Sequence, residues 1–391
     1  MCCNAIHDNH QNFCTECGSE FINYLAGYSE ERSFSYQQIS SFQFNNRNNH
    51  SILNENRKFD LIVDQNGNGD FMLISEAIES ALPGTTIFIK EGFYNESLLI
   101  DKPDIYLIGE KNVKIFCENS NVIHCTKNST DSIIQNISIQ LKTTLNKRRN
   151  YNFLHLLFLY YKKKLCFPVI IESNVIFKNC NISNTYTEPK MYDSIGIFIK
   201  QGNPHIIKCD IIDNYLGIWC SSSALIENNN IFNNERGISA PTDSKGELTI
   251  KGNSIHNCKK SGITLGQKAI VENNNIYKNL FGIRIKRNGS SVIKNNNIND
   301  CNTGISYNND GKGTIKNNSL FNNLEAIEVQ GKCIINIHHN IIYNNKYLGI
   351  KVNDKSKVHI HHNVIMKSGK KGIIVDKTAK ALIEYNFLKK T

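Results

Sequence analysis

The chain has 391 residues, is 40% hydrophobic with only 6 prolines, and carries a formal net charge of +10. No apolar run reaches the ~20 residues that cross a bilayer as a helix, so an integral membrane protein is excluded as an expectation. The basic charge is spread over the chain and not gathered in one block, which argues against nucleic-acid binding and for a solvated outer surface. Thirteen cysteines, an odd number, follow no pairing logic. Met1-Cys2-Cys3-Asn4 opens a polar stretch with no secretory signal. The expectation is a reduced, cytoplasmic chain.

Residues 1–28 contain Cys3, His7, Cys14 and Cys17. Cys14-Thr-Glu-Cys17 is a spacing that offers two thiolates to one Zn2+, and Cys3 with His7 completes a tetrahedral set. Cys2 and His10 compete for the last two places. The alternative is a disordered leader with free thiols. Residues 29–58 are polar and patternless, as in a linker.

The body spans 59–391. A Gly- and Asn-rich turn at 64–70 precedes Phe71, Ile74, Ala77, Ile78 and Ala81, spaced as one face of a short helix that ends before Pro83-Gly84. Laid on the first coil, such a helix caps an open apolar end. Strands are expected at 86–89, 97–100 and 105–108.

Between 142 and 165 the pattern fails. Arg148, Arg149, Lys162 and Lys163 flank an aromatic stretch with Tyr151, Phe153, Phe158, Tyr160 and Tyr161. Long loops in compact folds are often functional, so these residues are the expected protein-partner site; the alternative is packing over one face of the body.

From 203 onward the chain repeats itself. The segments starting at 270, 292 and 314 (IVENNNIYKNLFGI, VIKNNNINDCNTGI, TIKNNSLFNNLEAI) are 22 residues apart, and those at 336 and 359 are 23 apart. Such a period marks a solenoid. Alternation such as Ile283-Arg284-Ile285-Lys286 is strand chemistry, and no unit holds a helix-length apolar face. The fold expected is an all-β, right-handed parallel β-helix of about 22-residue coils.

Asn229, Asn253, Asn274, Asn296, Asn318, Asn340, Asn363 and Asn386 recur at one place, preceded by Cys180 and Asp210. Stacked amides can donate to one neighbour and accept from the other. A glycine column (Gly196, Gly217, Gly237, Gly262, Gly282, Gly304, Gly349, Gly372), broken by Ala326, implies either a positive φ or close approach of coils. His338-His339 and His361-His362 share a register about 5 Å apart; stacked imidazoles can share a metal or titrate, but without a joining carboxylate column a neutral ladder is expected. Cys180, Cys209, Cys258 and Cys301 read as core thiols. The final coil at 381–388 has no cap, which leaves open strand edges for a partner or a second copy.

The opening DQNGNGDF…ISEAI…PGTTIFIKEGFYNESL resembles the entry segment of pectin-lyase-like β-helix proteins. The repeats at 203–219 and 309–329 are similar to those of β-helical F-box-only ubiquitin-ligase receptors. The first resemblance implies the fold; the second implies a ubiquitination-related receptor, although residues 1–58 show no F-box. Carbohydrate chemistry needs clustered carboxylates or two facing ones, whereas the acids here are dispersed, and Arg284-Ile285-Lys286 resembles a polygalacturonase tripeptide without its partner motifs. No catalytic residue is expected. The reading is a non-catalytic protein-binding scaffold; the alternatives are a polysaccharide-active lyase or hydrolase, or a ligase receptor lacking its own F-box.

Overall fold

The computed structural model describes residues 59–118, 120–143, 166–186, 194–242, 244, 246–369 and 371–389. The candidate zinc ligands and all the candidate partner residues from Arg148 to Lys163 lie outside the described residues.

Among the described residues, each complete coil contributes one strand to each of three parallel sheets, and the partial coils at the two ends bring these to 14, 12 and 13 strands. The coil from Ala269 shows why. Ala269–Glu272, Asn275–Tyr277 and Phe281–Ile285 are short runs in which alternate side chains turn inward. Ile276, Ile298, Leu320 and Ile342 stack in one row, and Ile283, Ile305, Ile327 and Ile350 in another. All eight are fully buried. Stacking about 13 such coils of ~23 residues makes a right-handed parallel β-solenoid.

At the tight corner between the 14- and 13-strand sheets, one residue takes a left-handed conformation and the next points inward. Asn295 has φ 56°, and Asn296 is buried behind it. The Asn296 amide donates to the carbonyls of Val271 and Lys294 and to Asn318 Oδ1, while its own Oδ1 accepts from the backbone and side chain of Asn274. The same bonds, at 2.8–3.0 Å, run unbroken from Asn229 to Asn386.

One expectation needs correction, and one pair of alternatives is decided. The residue preceding Asn229 in the column is Cys209, whose N–H donates to Asn229 Oδ1 at 2.9 Å. Asp210 is exposed and pairs with Asn230 outside. Matching by polar chemistry slipped the register by one, which in a strand exchanges the two faces. The glycine column has no positive φ; close approach explains it, since a Cβ on Gly282 would stand 2.6 Å from the Gly304 carbonyl oxygen.

The cap is a seven-residue helix, α1 (Ile74–Ser80), burying Ile74, Ala77 and Ile78. Phe71 lies before it and bridges Val63. Both helix ends are held by the first coils. Glu96 accepts from the Ile74 and Ser75 N–H groups at 2.9 Å, and the Lys102 ammonium donates to the carbonyls of Ile78, Glu79 and Ala81. These bonds satisfy orphan groups and complement the helix dipole.

The break in the repeat is an insertion between adjacent coils. Ile176–Lys178 pairs directly with Ile133–Gln135, and Asn181–Tyr186 with Ser138–Thr143. Lys142 therefore belongs to a strand, and the break in the repeat falls in the sequence between Ser138–Thr143 and Val169–Ile171. At the far end, Leu382, Phe387 and Leu388 are more than half exposed. The cysteines expected in the core are there: Cys180, Cys209, Cys258 and Cys301 are buried free thiols.

Replacing Asn296 with alanine strands the Asn274 N–H and two carbonyls in a dry corner, a loss of about 3 kcal/mol. Asn295→Ala, at an exposed left-handed position, is expected to cost about 1 kcal/mol. Urea denaturation of the two variants checks the ranking.

Candidate functional site

On the outer face of the 14-strand sheet the charges cancel between coils. Lys294 pairs with Glu272 at 2.8 Å, and Glu227 takes His205 at 3.2 Å and Lys251 at 3.7 Å. This is the interleaving of acids and lysines seen in the sequence, and it leaves the acids dispersed.

The 12-strand sheet is different. Its outward residues form rows set by the coil register. One row runs Ile170, Phe198, Trp219, Ser239, Thr264, Arg284, Ser306, Glu328, Lys351. A second runs Ile195, Leu216, Arg236, Ser261, Phe281, Thr303, Glu325. The upstream third is apolar: Phe167, Ile170, Ile195, Phe198, Leu216 and Trp219 form a buried cluster separate from the solenoid core, with Tyr215 packed against it. Phe167 and Phe198 meet edge to face at 5.5 Å. The middle third is polar and cationic. Ser239 and Ser306 are small buried residues lying between larger ones, Ser306 between Arg284 and Glu328.

Three cations meet on that middle third. Arg284 is half-buried, its guanidinium 4.7 Å from the Phe281 ring centroid, and its Nε has no hydrogen-bond partner. Burial lowers its pKa first, then the Arg236 charge, against a smaller upward pull from Glu328. Lys286, exposed over its surface as a whole, is still lowered by partial desolvation and then by Arg284 and Arg236. Arg236 lies over the Tyr215 ring at 5.7 Å, and Lys260 shares that ring at 5.8 Å while pairing with Glu235 at 2.8 Å. The acids downstream are already engaged, since Lys351 contacts Glu328 at 3.2 Å and Glu325 at 4.0 Å.

Arg284 and Lys286 were visible in the sequence as ordinary strand alternation. Their gathering with Arg236 was not, because Arg236 lies two coils back and one row over. Among the described residues, no three His, Cys, Asp or Glu side chains converge on one metal position.

Residues 105–269 and 241–388 match the right handed beta helix region family. The chain belongs to this family. Among solved structures, this β-helix is similar to a double mutant of the periplasmic alginate epimerase AlgG, with 16% identity, TM-score 0.57, and coverage of 81% of this chain and 83% of that one. Another mutant of the same epimerase gives 15% identity, TM-score 0.54 and 79% coverage of each chain. The Streptococcus pneumoniae surface adhesin PfbA aligns over 81% of this chain and 86% of its own, at 15% identity and TM-score 0.39. No curated protein sequence matches the chain. At these identities the likeness is one of fold.

Trp219 is the single tryptophan, and 8% of its surface is exposed. Its emission is therefore expected to be blue-shifted relative to the unfolded chain and shielded from acrylamide. Acrylamide quenching of the native protein, compared with the urea-unfolded chain, measures this.

Proposed function

We propose that the outer face of the 12-strand sheet binds an acidic polysaccharide and that the β-helix acts on it by abstracting the proton next to a uronate carboxylate. The observation that carries this reading is the gathering of Arg236, Arg284 and Lys286 on one face, where burial first and the neighbouring cations second lower the pKa of Arg284 and Lys286, with the Arg284 Nε left unpartnered. Like charges are gathered at a cost that an anion would relieve. A carboxylate at Arg284 would have its charge neutralised, which makes the adjacent C–H more acidic, and a lysine of lowered pKa is a suitable base for it. The proton would pass to the Lys286 amine, and the resulting carbanion would either expel the neighbouring glycosidic oxygen or be reprotonated.

Hydrolysis has less support, because it needs two free carboxyls across one bond, and Glu325 and Glu328 are both within reach of Lys351. The fold shared with alginate epimerases is compatible with this reading but does not assign it. The protein-scaffold reading gains nothing from the aromatic cluster from Phe167 to Trp219, which is buried. The solved structures compared above include no F-box protein, so the ligase-receptor reading rests on the repeat resemblance alone.

The purified full chain, given alginate and polygalacturonate, is expected to produce unsaturated uronate ends by ultraviolet absorbance or inverted C5 centres by proton NMR. Arg284→Ala should reduce kcat/KM by about 100-fold. The rate should rise with pH to a midpoint below the ordinary lysine value of about 10.4, because only the neutral amine accepts the proton. Failure to bind or convert either polymer, or an Arg284→Ala variant equal to the parent, would remove the reading.

A further inference from the structure

Four histidines on two successive coils hold their ring nitrogens in facing pairs. His338 ends the strand Ile334–His338, and His361 ends Lys357–His361, both in the outward row. In a regular strand the next side chain would point the opposite way. Here the next residue is left-handed, with φ 56° at His339 and 53° at His362. That turn returns each second ring to the same outer side. His338 Nδ1 and His339 Nδ1 are hydrogen-bonded at 2.8 Å, and His361 Nδ1 and His362 Nδ1 at 2.9 Å, so each pair shares one proton that a bound metal would displace. The two pairs stack coil on coil, with ring centroids 4.9 and 5.1 Å apart and planes within 5°.

Positive φ is uncommon for histidine. The equivalent position in other coils is Asn228, Gly252, Asn273, Asn295 or Asn317, so the fold does not itself demand imidazole there. A further contact fixes the chemistry of one pair. Asn336 Oδ1 lies 3.0 Å from His361 Nε2. An amide oxygen only accepts, so Nε2 carries the proton and Nδ1 presents a lone pair, the outer-shell arrangement that orients imidazole ligands.

With metal–imidazole bonds of about 2.0–2.1 Å, nitrogens 2.8–2.9 Å apart subtend roughly 90° at a shared ion. A tetrahedral ion would need roughly 3.3 Å for the same bonds. The bite suits the tetragonal preference of Cu2+ or Ni2+ with nitrogen ligands. We propose that the Nδ1 pair of His361 and His362, oriented by Asn336, chelates one divalent ion of this class, and that His338 and His339 form a second such site one coil away. Since no third protein ligand converges among the described residues, water would complete each coordination shell. Repulsion between two dications one coil apart makes the second bind more weakly.

The test is calorimetric titration of the full chain with Ni2+, with electron paramagnetic resonance of the Cu2+-loaded protein. Asparagine occupies the left-handed position in other coils, so His362→Asn and His339→Asn keep the fold. His362→Asn is expected to weaken the tighter site by about 100-fold, and Asn336→Ala by about tenfold with no change in melting temperature. The Cu2+ spectrum should show coupling to two equatorial nitrogens, reduced to one in His362→Asn. Unchanged Ni2+ affinity and stoichiometry in the His339→Asn/His362→Asn double variant, or an all-oxygen Cu2+ spectrum, would overturn the proposal.

Discussion

From Asn229 to Asn363 each coil of this β-helix turns the same corner with the same buried amide, and the register of the downstream coils depends on that bond. The corner between the 14- and 13-strand sheets is too tight to be closed by a helix or a long loop. Its inward polar groups must find partners without water. Each asparagine from Asn229 to Asn363 meets this by accepting from the coil before and donating to the coil after. The ladder fixes vertical register as well as corner geometry, because a coil shifted by one residue would lose its amide and place its isoleucines outside.

Fixed register decides what can be built on the outside. Outward positions lie outside the solenoid core, and each has a known neighbour one coil, about 4.8 Å, above and below. The 14-strand sheet uses this to alternate signs, as in Glu272 beside Lys294. The 12-strand sheet uses it to collect aromatic residues upstream and cations in the middle, and the corner row uses it to stack His338 on His361. The proposed glycan face and the proposed metal site are thus two products of one rigid frame. Loss of a ladder asparagine between them would disturb both through register, without touching either set of side chains.

The fold was legible in the sequence wherever one residue type served one geometric need. Eight asparagines and eight glycines at matched spacing gave the period, and Ile74, Ala77, Ile78 and Ala81 gave the cap. Legibility failed where different side chains meet the same need. Cys209 fills an asparagine place with a thiol that accepts from the Cys180 N–H and donates to the Phe177 and Ile207 carbonyls, so the more polar Asp210 drew the register off by one. A second ladder at the next corner escaped notice because it mixes asparagine with cysteine and serine: Cys258 donates to Asn279, Cys301 to Asn323, Asn323 to Asn345, and Asn345 to Ser368. The candidate sites were harder still. Arg284 and Lys286 satisfy strand alternation whether or not Arg236 lies nearby, and the shared register of the histidines does not reveal that their Nδ1 atoms face each other.

The most direct test of the account is residue-resolved hydrogen–deuterium exchange of the corner amides. The N–H groups of Asn253, Asn274, Asn296, Asn318 and Asn340 each donate to the Oδ1 of the next asparagine, so they should exchange among the slowest in the chain and lose protection together when Asn296 is replaced by alanine. Exchange at these amides as fast as at the exposed turn residues beside them, or a loss confined to position 296, would contradict a solenoid held in register by its amide ladder.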